Sequence, residues 1–407
     1  MKQTKLSVAV KATLLTASLA MAPVAFSADK ELLDILKANG SISQVQYDQL
    51  IQKADQPSES SELLKKMAWA GKIQVKGDMR ARHETRTSEG FSNADRDRIR
   101  ARIGVYADVA DNVQAGVRLV TGGDNTSTNQ TLGGSKDDAS TADFKPKDIF
   151  LDLAYINWQP LSGLEVIAGK FKQPWEQVDG GLVWDGDLNP EGVAFRYTTL
   201  LAGAEMIAST GSLIAGQSDD GDSISQDRKV VFGQLAAKFK VAGAETKAGV
   251  SIFDFDNGQV DGNSFAINKG NSAGEAFQLT ELFAETNVNV GLPVKFYGHY
   301  VTNNNEQVTS GKDTAWLIGA QTKMGKWKAS YDYRDIEKNA VYAPYNDSDF
   351  ADGYSDSKGS MYKLSYEISK NFSVATAYMD AETGNTLGSS KSNNNVDTWQ
   401  IDLVAKF

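Results

Sequence analysis

The chain has 407 residues, no cysteine, two histidines, 36 glycines and a formal net charge of −10. The absent cysteines exclude a disulfide scaffold and, with so few histidines, a zinc or thiol site; the acidic balance argues against nucleic acid as a partner, since phosphate binding needs a basic surface. Hydrophobic residues make up 41%, below the roughly 45–50% of ordinary globular domains, a deficit expected where only alternate strand residues face an apolar medium.

In chain order, Lys2, Lys5 and Lys11 flank the apolar run Thr13 to Phe26, and Ala25-Phe26-Ser27 offers small residues where a signal peptidase reads. Residues 1–27 are read as a signal peptide removed on export. No later stretch of about 18 to 20 apolar residues exists, so no membrane-spanning helix is expected. Residues 28–70 read as a short periplasmic helical hairpin. Its first segment, Glu31 to Leu36, stops at Asn39-Gly40; Ser43 caps a second bearing Val45, Tyr47, Leu50 and Ile51, and Gln56-Pro57-Ser58 breaks it.

From Ile73 the hydrophobic period becomes two and stays so to the end, the pattern of half-buried strands. Val75, Gly77, Met79 and Ala81 alternate with Lys76, Asp78, Arg80 and Arg82, and Ile99, Ala101, Ile103 and Val105 with Arg98, Arg100, Arg102 and Gly104. The connections sort into two classes in strict alternation. Short turns fall near 109–112, 159–163, 199–203, 240–244, 288–292, 323–326 and 369–371; long polar segments fall near 84–95, 122–147, 172–190, 215–227, 255–275, 303–312, 335–358 and 381–395. Seven short turns and eight long loops require sixteen strands with both ends on the short-turn side. The fold class is all-β transmembrane, a sixteen-stranded antiparallel β-barrel over 71–407 in an outer membrane, where periplasmic turns are short and outer loops long. A soluble β-sandwich has no reason to sort its loops by length. Trp158, Trp327, Tyr331, Tyr333 and Trp399 are candidates for interfacial girdles.

The last strand carries Trp399, Ile401, Leu403 and the terminal Phe407, and resembles the signal that outer-membrane assembly machinery reads. With the segment Leu182-Val183-Trp184-Asp185-Gly186-Asp187-Leu188-Asn189-Pro190-Glu191-Gly192-Val193 and the opening strand Val75 to Arg82, the chain resembles a family of bacterial putative porins over nearly its whole mature length. That resemblance implies a passive channel for small hydrophilic solutes in a Gram-negative outer membrane. It also implies a homotrimer, set in lipid and lipopolysaccharide and inserted by the barrel assembly machinery.

Strands one to three direct Arg80, Arg82, Arg98, Arg100, Arg102 and Arg118 to the polar face. In general porins the third loop narrows the barrel. Here the third long loop, 172–190, carries Glu176, Asp179, Asp185 and Asp187, with Glu191 just beyond. The expectation is an acidic loop facing a basic wall across a constriction, whose charge and diameter set selectivity. Alternatively, the arginines merely pair with Asp78, Asp95, Asp97 and Asp108 and stiffen the wall.

Other readings are weaker. Asp185-Gly186-Asp187-Leu188-Asn189 resembles the start of a calcium loop, but Pro190 replaces the turn glycine and Arg196 the bidentate glutamate. His83 has no catalytic partner and is read as a solvated residue at the outer end of the first strand. No nucleophile, metal cluster or phosphate loop is visible, so no enzyme and no cofactor is expected. An adhesin or receptor barrel is the alternative function; the loops are moderate in length and low in aromatic residues, which disfavours it.

Overall fold

The computed structural model describes residues 72–407 except 90–92, 123–125, 134–143, 145, 217–227, 257–268, 273–274, 307–310 and 385–393, together with Asp34, Lys37, 43–45, Tyr47 and Asp48. The expected signal peptide and nearly all of the expected helical hairpin lie outside the described residues.

Strands β1 (Ile73–Ser88), β2 (Ala94–Ala110), β3 (Val113–Thr121), the two-residue β4 (Gln130–Thr131), β5 (Ile149–Leu161), β6 (Leu164–Lys170), β7 (Glu191–Leu201) and β8 (Ala204–Gly216) form one half of the sheet. Strands β9 (Arg228–Val241), β10 (Ala244–Asp256), β11 (Gln278–Asn289), β12 (Pro293–Asn303), β13 (Thr314–Met324), β14 (Trp327–Ile336), β15 (Ser357–Ser369), β16 (Phe372–Thr383) and β17 (Asn394–Lys406) form the other. Each long strand pairs antiparallel with its neighbours in sequence, and β1 pairs with β17, from Asp78↔Lys406 to Ser88↔Val396. Setting β4 aside as a piece of the second long loop, sixteen strands close into a barrel with no free edge, which is what a sheet in lipid requires. The seam is tied at its lower end by reciprocal backbone bonds: Gly77 N–H donates to Phe407 O at 2.9 Å and Phe407 N–H to Gly77 O at 3.0 Å.

The outward positions are apolar, with Met79, Ile103, Leu235, Ile252, Ile318 and Leu403 all exposed, an arrangement that only an apolar surrounding stabilises. Aromatic rings flank that band. Trp158 and Trp327 stand beside short turns, whereas Tyr331, Tyr333 and Trp399 lie farther along their strands, with the Tyr331 and Tyr362 ring centroids 5.0 Å apart. The first outer loop is shorter than its sequence suggests: β1 and β2 continue to Ser88 and from Ala94, so 84–88 and 94–95 are strand. His83, on that extension, points outward and is exposed, 3.0 Å from Asp97 and 3.7 Å from Asp95.

The interior is not polar all round. The third long loop, 171–190, turns inward and buries Phe171, Trp175, Val178, Leu182, Val183, Trp184 and Leu188 against an apolar inner wall that includes Ile207, Phe232, Phe253, Leu279 and Leu317. Complete burial of side chains of this size contributes about 1.5–3 kcal/mol each, which fixes the loop. Trp184 lies at the centre, its ring centroid 5.0 Å from Trp175, 5.2 Å from Phe253 and 5.4 Å from Tyr345.

The candidate pore constriction

The third loop is held by polar contacts as well as apolar ones. Glu176 N–H donates to Gln234 Oε1 at 2.7 Å, and Gln234 Nε2 returns a bond to Glu176 O at 2.9 Å. Loop residues thereby lean on β7 to β13, opposite the arc that runs from β14 through β17 to β1, β2 and β3. On that arc a cavity of about 400 Å³ is lined by Arg80, Arg82, Asp179, Lys328, Lys363 and Asp402 among others.

All six predicted arginines face the lumen. They do not share one partner. Arg100 and Arg102 both bind Asp78, at 2.9 Å and 2.7 Å, and both reach Asp187 of the third loop, at 3.6 Å and 3.5 Å. Arg82 binds Asp402 at 2.7 Å and Asp349 at 2.9 Å. Arg98 lies 3.6 Å from Glu84, Arg118 is bound to Asp152, and Arg80 donates to Asn129 Oδ1 at 2.7 Å while standing 3.9 Å from Asp402. Pairing within the wall is therefore extensive, but through Asp78 alone of the four carboxylates named from sequence: Asp95 and Asp97 sit at His83 on the outer face, and Asp108 accepts from Gln114.

Of the acidic loop residues, Asp187 alone meets the arginine wall. Glu176 pairs with Arg196 at 2.7 Å and with Lys238 and Lys247 at 3.3 and 3.4 Å on the opposite wall, and Asp179 pairs with Lys295. Glu191 starts β7 on its outward face and binds Lys170 at 2.8 Å. The expectation that all five face the arginines thus needs correction: Asp187 on the returning limb touches them, Asp179 borders the same cavity as Arg80 and Arg82 while paired with Lys295, and the other three do not face them. Asp185 on that limb is buried, its carboxylate accepting from Asp187 N–H at 2.7 Å and Ser348 N–H at 2.9 Å. Burial, with Asp347 and Asp187 close by, pushes its carboxyl up to about 8. Asn189 donates to Asp152 and Asp187 receives Thr128 Oγ1 at 3.0 Å, so the supposed calcium ligands are engaged with protein donors and acceptors. Among the described residues no cluster of three or more His, Asp or Glu is placed to hold a metal.

Sequence reasoning counted the seventh long loop, here 337–356, among the polar segments and missed its role in the interior. It also folds inward, burying Ala340, Val341, Tyr342, Ala343 and Phe350. It carries much of the counter-charge. Asp349 binds Arg82, Asp352 binds Arg86, and Asp347 binds the wholly buried Arg334 at 3.1 Å. Burial opposes charge at Asp349, yet Arg82 and Arg80 hold its carboxyl down to about 2. The signal was present: Val341-Tyr342-Ala343-Pro344-Tyr345, with Phe350 and Tyr354, is too apolar for a solvated loop, and it corrects the view that the loops are low in aromatic residues. Arg96, which donates to Glu84 Oε1 at 2.6 Å, also belongs to the wall.

A family model described as "Putative porin" matches residues 86–290 and 275–407. Among solved structures, Pseudomonas putida OprB aligns with a TM-score of 0.56 at 11% identity, covering 86% of this chain and 96% of that one. Salmonella typhi OmpF aligns with a TM-score of 0.50 at 13% identity, covering 82% and 97% respectively. No curated protein sequence matches the chain.

Proposed function

From the premise that the chain belongs to the putative porin family, we propose that it passes small hydrophilic solutes and ions by passive diffusion through a constriction set between its arginine wall and its inward loops. It is a Gram-negative outer-membrane channel, and the proposal concerns how the pore selects. The observation that carries it is Asp187: a residue of the third loop that stands within 3.6 Å of both Arg100 and Arg102, so the loop and the wall meet across the lumen. Opposed fixed charges at such a narrowing create a transverse field that orients dipolar solutes, while the gap excludes large ones. No catalytic step is assigned to these groups.

A homotrimer is part of the proposal. Strand β6 has seven residues, about 23 Å of strand and about 18 Å of height at a tilt near 40°, short of an apolar band of about 25 Å. A neighbouring subunit would cover that low wall, where Phe150, Leu151, Ile156 and Phe195 are exposed. The remaining partners proposed are lipid, lipopolysaccharide and the barrel assembly machinery, the last reading the strand that ends in Phe407.

Single-channel conductance of the purified, refolded protein in a planar bilayer tests the reading. Large uniform steps, often in threes, are expected; a folded barrel that gives none would instead favour an adhesin or receptor working through its outer loops.

A further inference from the structure

We propose that the lumen holds a binding station for an oxyanionic group, carboxylate or phosphate, formed by Lys328 and Lys363 with Ser330 and Ser365; it rests on the channel reading above. All four side chains are on the inward face of β14 and β15, in register Lys328↔Ser365 and Ser330↔Lys363. The two ammonium groups thus sit diagonally across two adjacent strands, each opposite a hydroxyl. All four line the cavity of about 400 Å³, which Gln321 and Arg80 also border. Ala375 and Ala377 on β16 leave room beside them.

Lys328 and Lys363 differ in their pairing from the inward lysines of β10, β12 and β13. Lys295 is bound to Asp179 and lies 3.6 Å from Glu285, Lys247 lies 3.4 Å from Glu176, and Lys323 lies 3.4 Å from Glu367. Among the described residues, neither Lys328 nor Lys363 has a carboxylate within 4.0 Å. The carboxylates that border the cavity are already engaged: Asp332 and Asp347 by Arg334, Asp349 and Asp402 by Arg82, and Asp179 by Lys295. Arg80 adds a guanidinium whose buried Nε has no hydrogen-bond partner. Two unpaired ammonium groups with two hydroxyls supply donors for an oxyanion, which the neighbouring carboxylates, held by their own cations, do not match. A neutral solute of the same size gains nothing from the charge.

The test is chloride conductance through single channels at constant ionic strength while succinate, inorganic phosphate or uncharged succinamide is titrated in. Succinate or phosphate, or both, should depress conductance along a saturating curve that succinamide does not reproduce, and whichever saturates identifies the oxyanion. In K328Q/K363Q the half-saturating concentration should rise about tenfold, the effect of losing two solvated ion pairs worth up to about 1 kcal/mol each, while K328R/K363R keeps it. Open channels with a strictly linear response to both anions, or an unchanged half-point in the glutamine variant, overturn the station and leave the channel standing; absence of conductance steps overturns both. Should the glutamine variant fail to fold, the comparison of succinate with succinamide on the unaltered protein still decides.

Discussion

Replacing Arg100 and Arg102 together with serine should move the channel toward cations by an amount the structure sets. The two guanidiniums balance Asp78 and Asp187, at 2.7 to 3.6 Å, so the substitution turns a neutral quartet into a pair of unbalanced carboxylates, a swing of two charges. An ion passing at about 7 Å in water feels about 0.6 kcal/mol per unit charge, and screening at 0.1 M salt halves that. The passing cation gains about 0.6 kcal/mol and the anion loses as much, which multiplies the cation-to-anion permeability ratio about sevenfold. Reversal potential across a tenfold salt gradient reads this directly, with R100K/R102K as the charge-preserving control. An unchanged reversal potential in a variant that still conducts would remove these arginines from the constriction and leave them the role of bracing the wall.

Trp184→Ala should free the third loop rather than unfold the barrel. Losing a fully packed Trp costs about 3–5 kcal/mol, and that cost falls on the loop's own anchoring among Trp175, Phe253 and Tyr345, so single-channel conductance should become larger and noisier while strand content by circular dichroism is kept. The Asp185 contact should weaken with rising pH. Its folded carboxyl titrates at about 8 against about 3.9 unfolded, so the folded loop holds the extra proton between those values, and stability is full below about pH 4 and lost as pH climbs to 8. Tryptophan emission, dominated by buried indoles such as Trp175 and Trp184, should shift red between pH 5 and 9 in the unaltered protein; an identical shift in D185N would assign the change elsewhere. Gly77→Val should damage the seam, because a Cβ there meets Arg102 O and the Phe407 ring at 2.4 Å. Overpacking of this kind costs about 1–3 kcal/mol, and the heat-modifiable folded band on gels should diminish; full retention of that band would show that β1 and the terminal Phe407 yield without cost.

The strands were legible because each obeys a strict period of two and because loop length alternates, two signals that do not depend on how the interior is filled. The interior itself was harder to read. Inward residues on β8 to β13, such as Ile207, Phe232, Phe253, Leu279 and Leu317, are as apolar as the outward ones, and period alone cannot say that two loops cover them. The third loop advertised its burial through Trp175, Val178, Leu182, Val183 and Trp184. Its acidic residues did not advertise their partners, since a carboxylate in a loop can lean toward either wall and only the packing of Trp184 decides which.

The same physics explains why basic side chains cluster where they do. With one half of the interior filled by rings, the charges on the inner face of β1, β2, β3 and β14 face one another at short range. Arg82, Arg100, Arg102, Arg118 and Arg334 are each locked to a carboxylate, which relieves the repulsion that such crowding creates and holds the wall rigid. The exceptions are informative for the same reason. Beside these locked pairs, Lys328 and Lys363 stand without a carboxylate partner among the described residues, in a cavity bordered by hydroxyls, and under the proposal above such charges serve a passing anion more than the stability of the barrel.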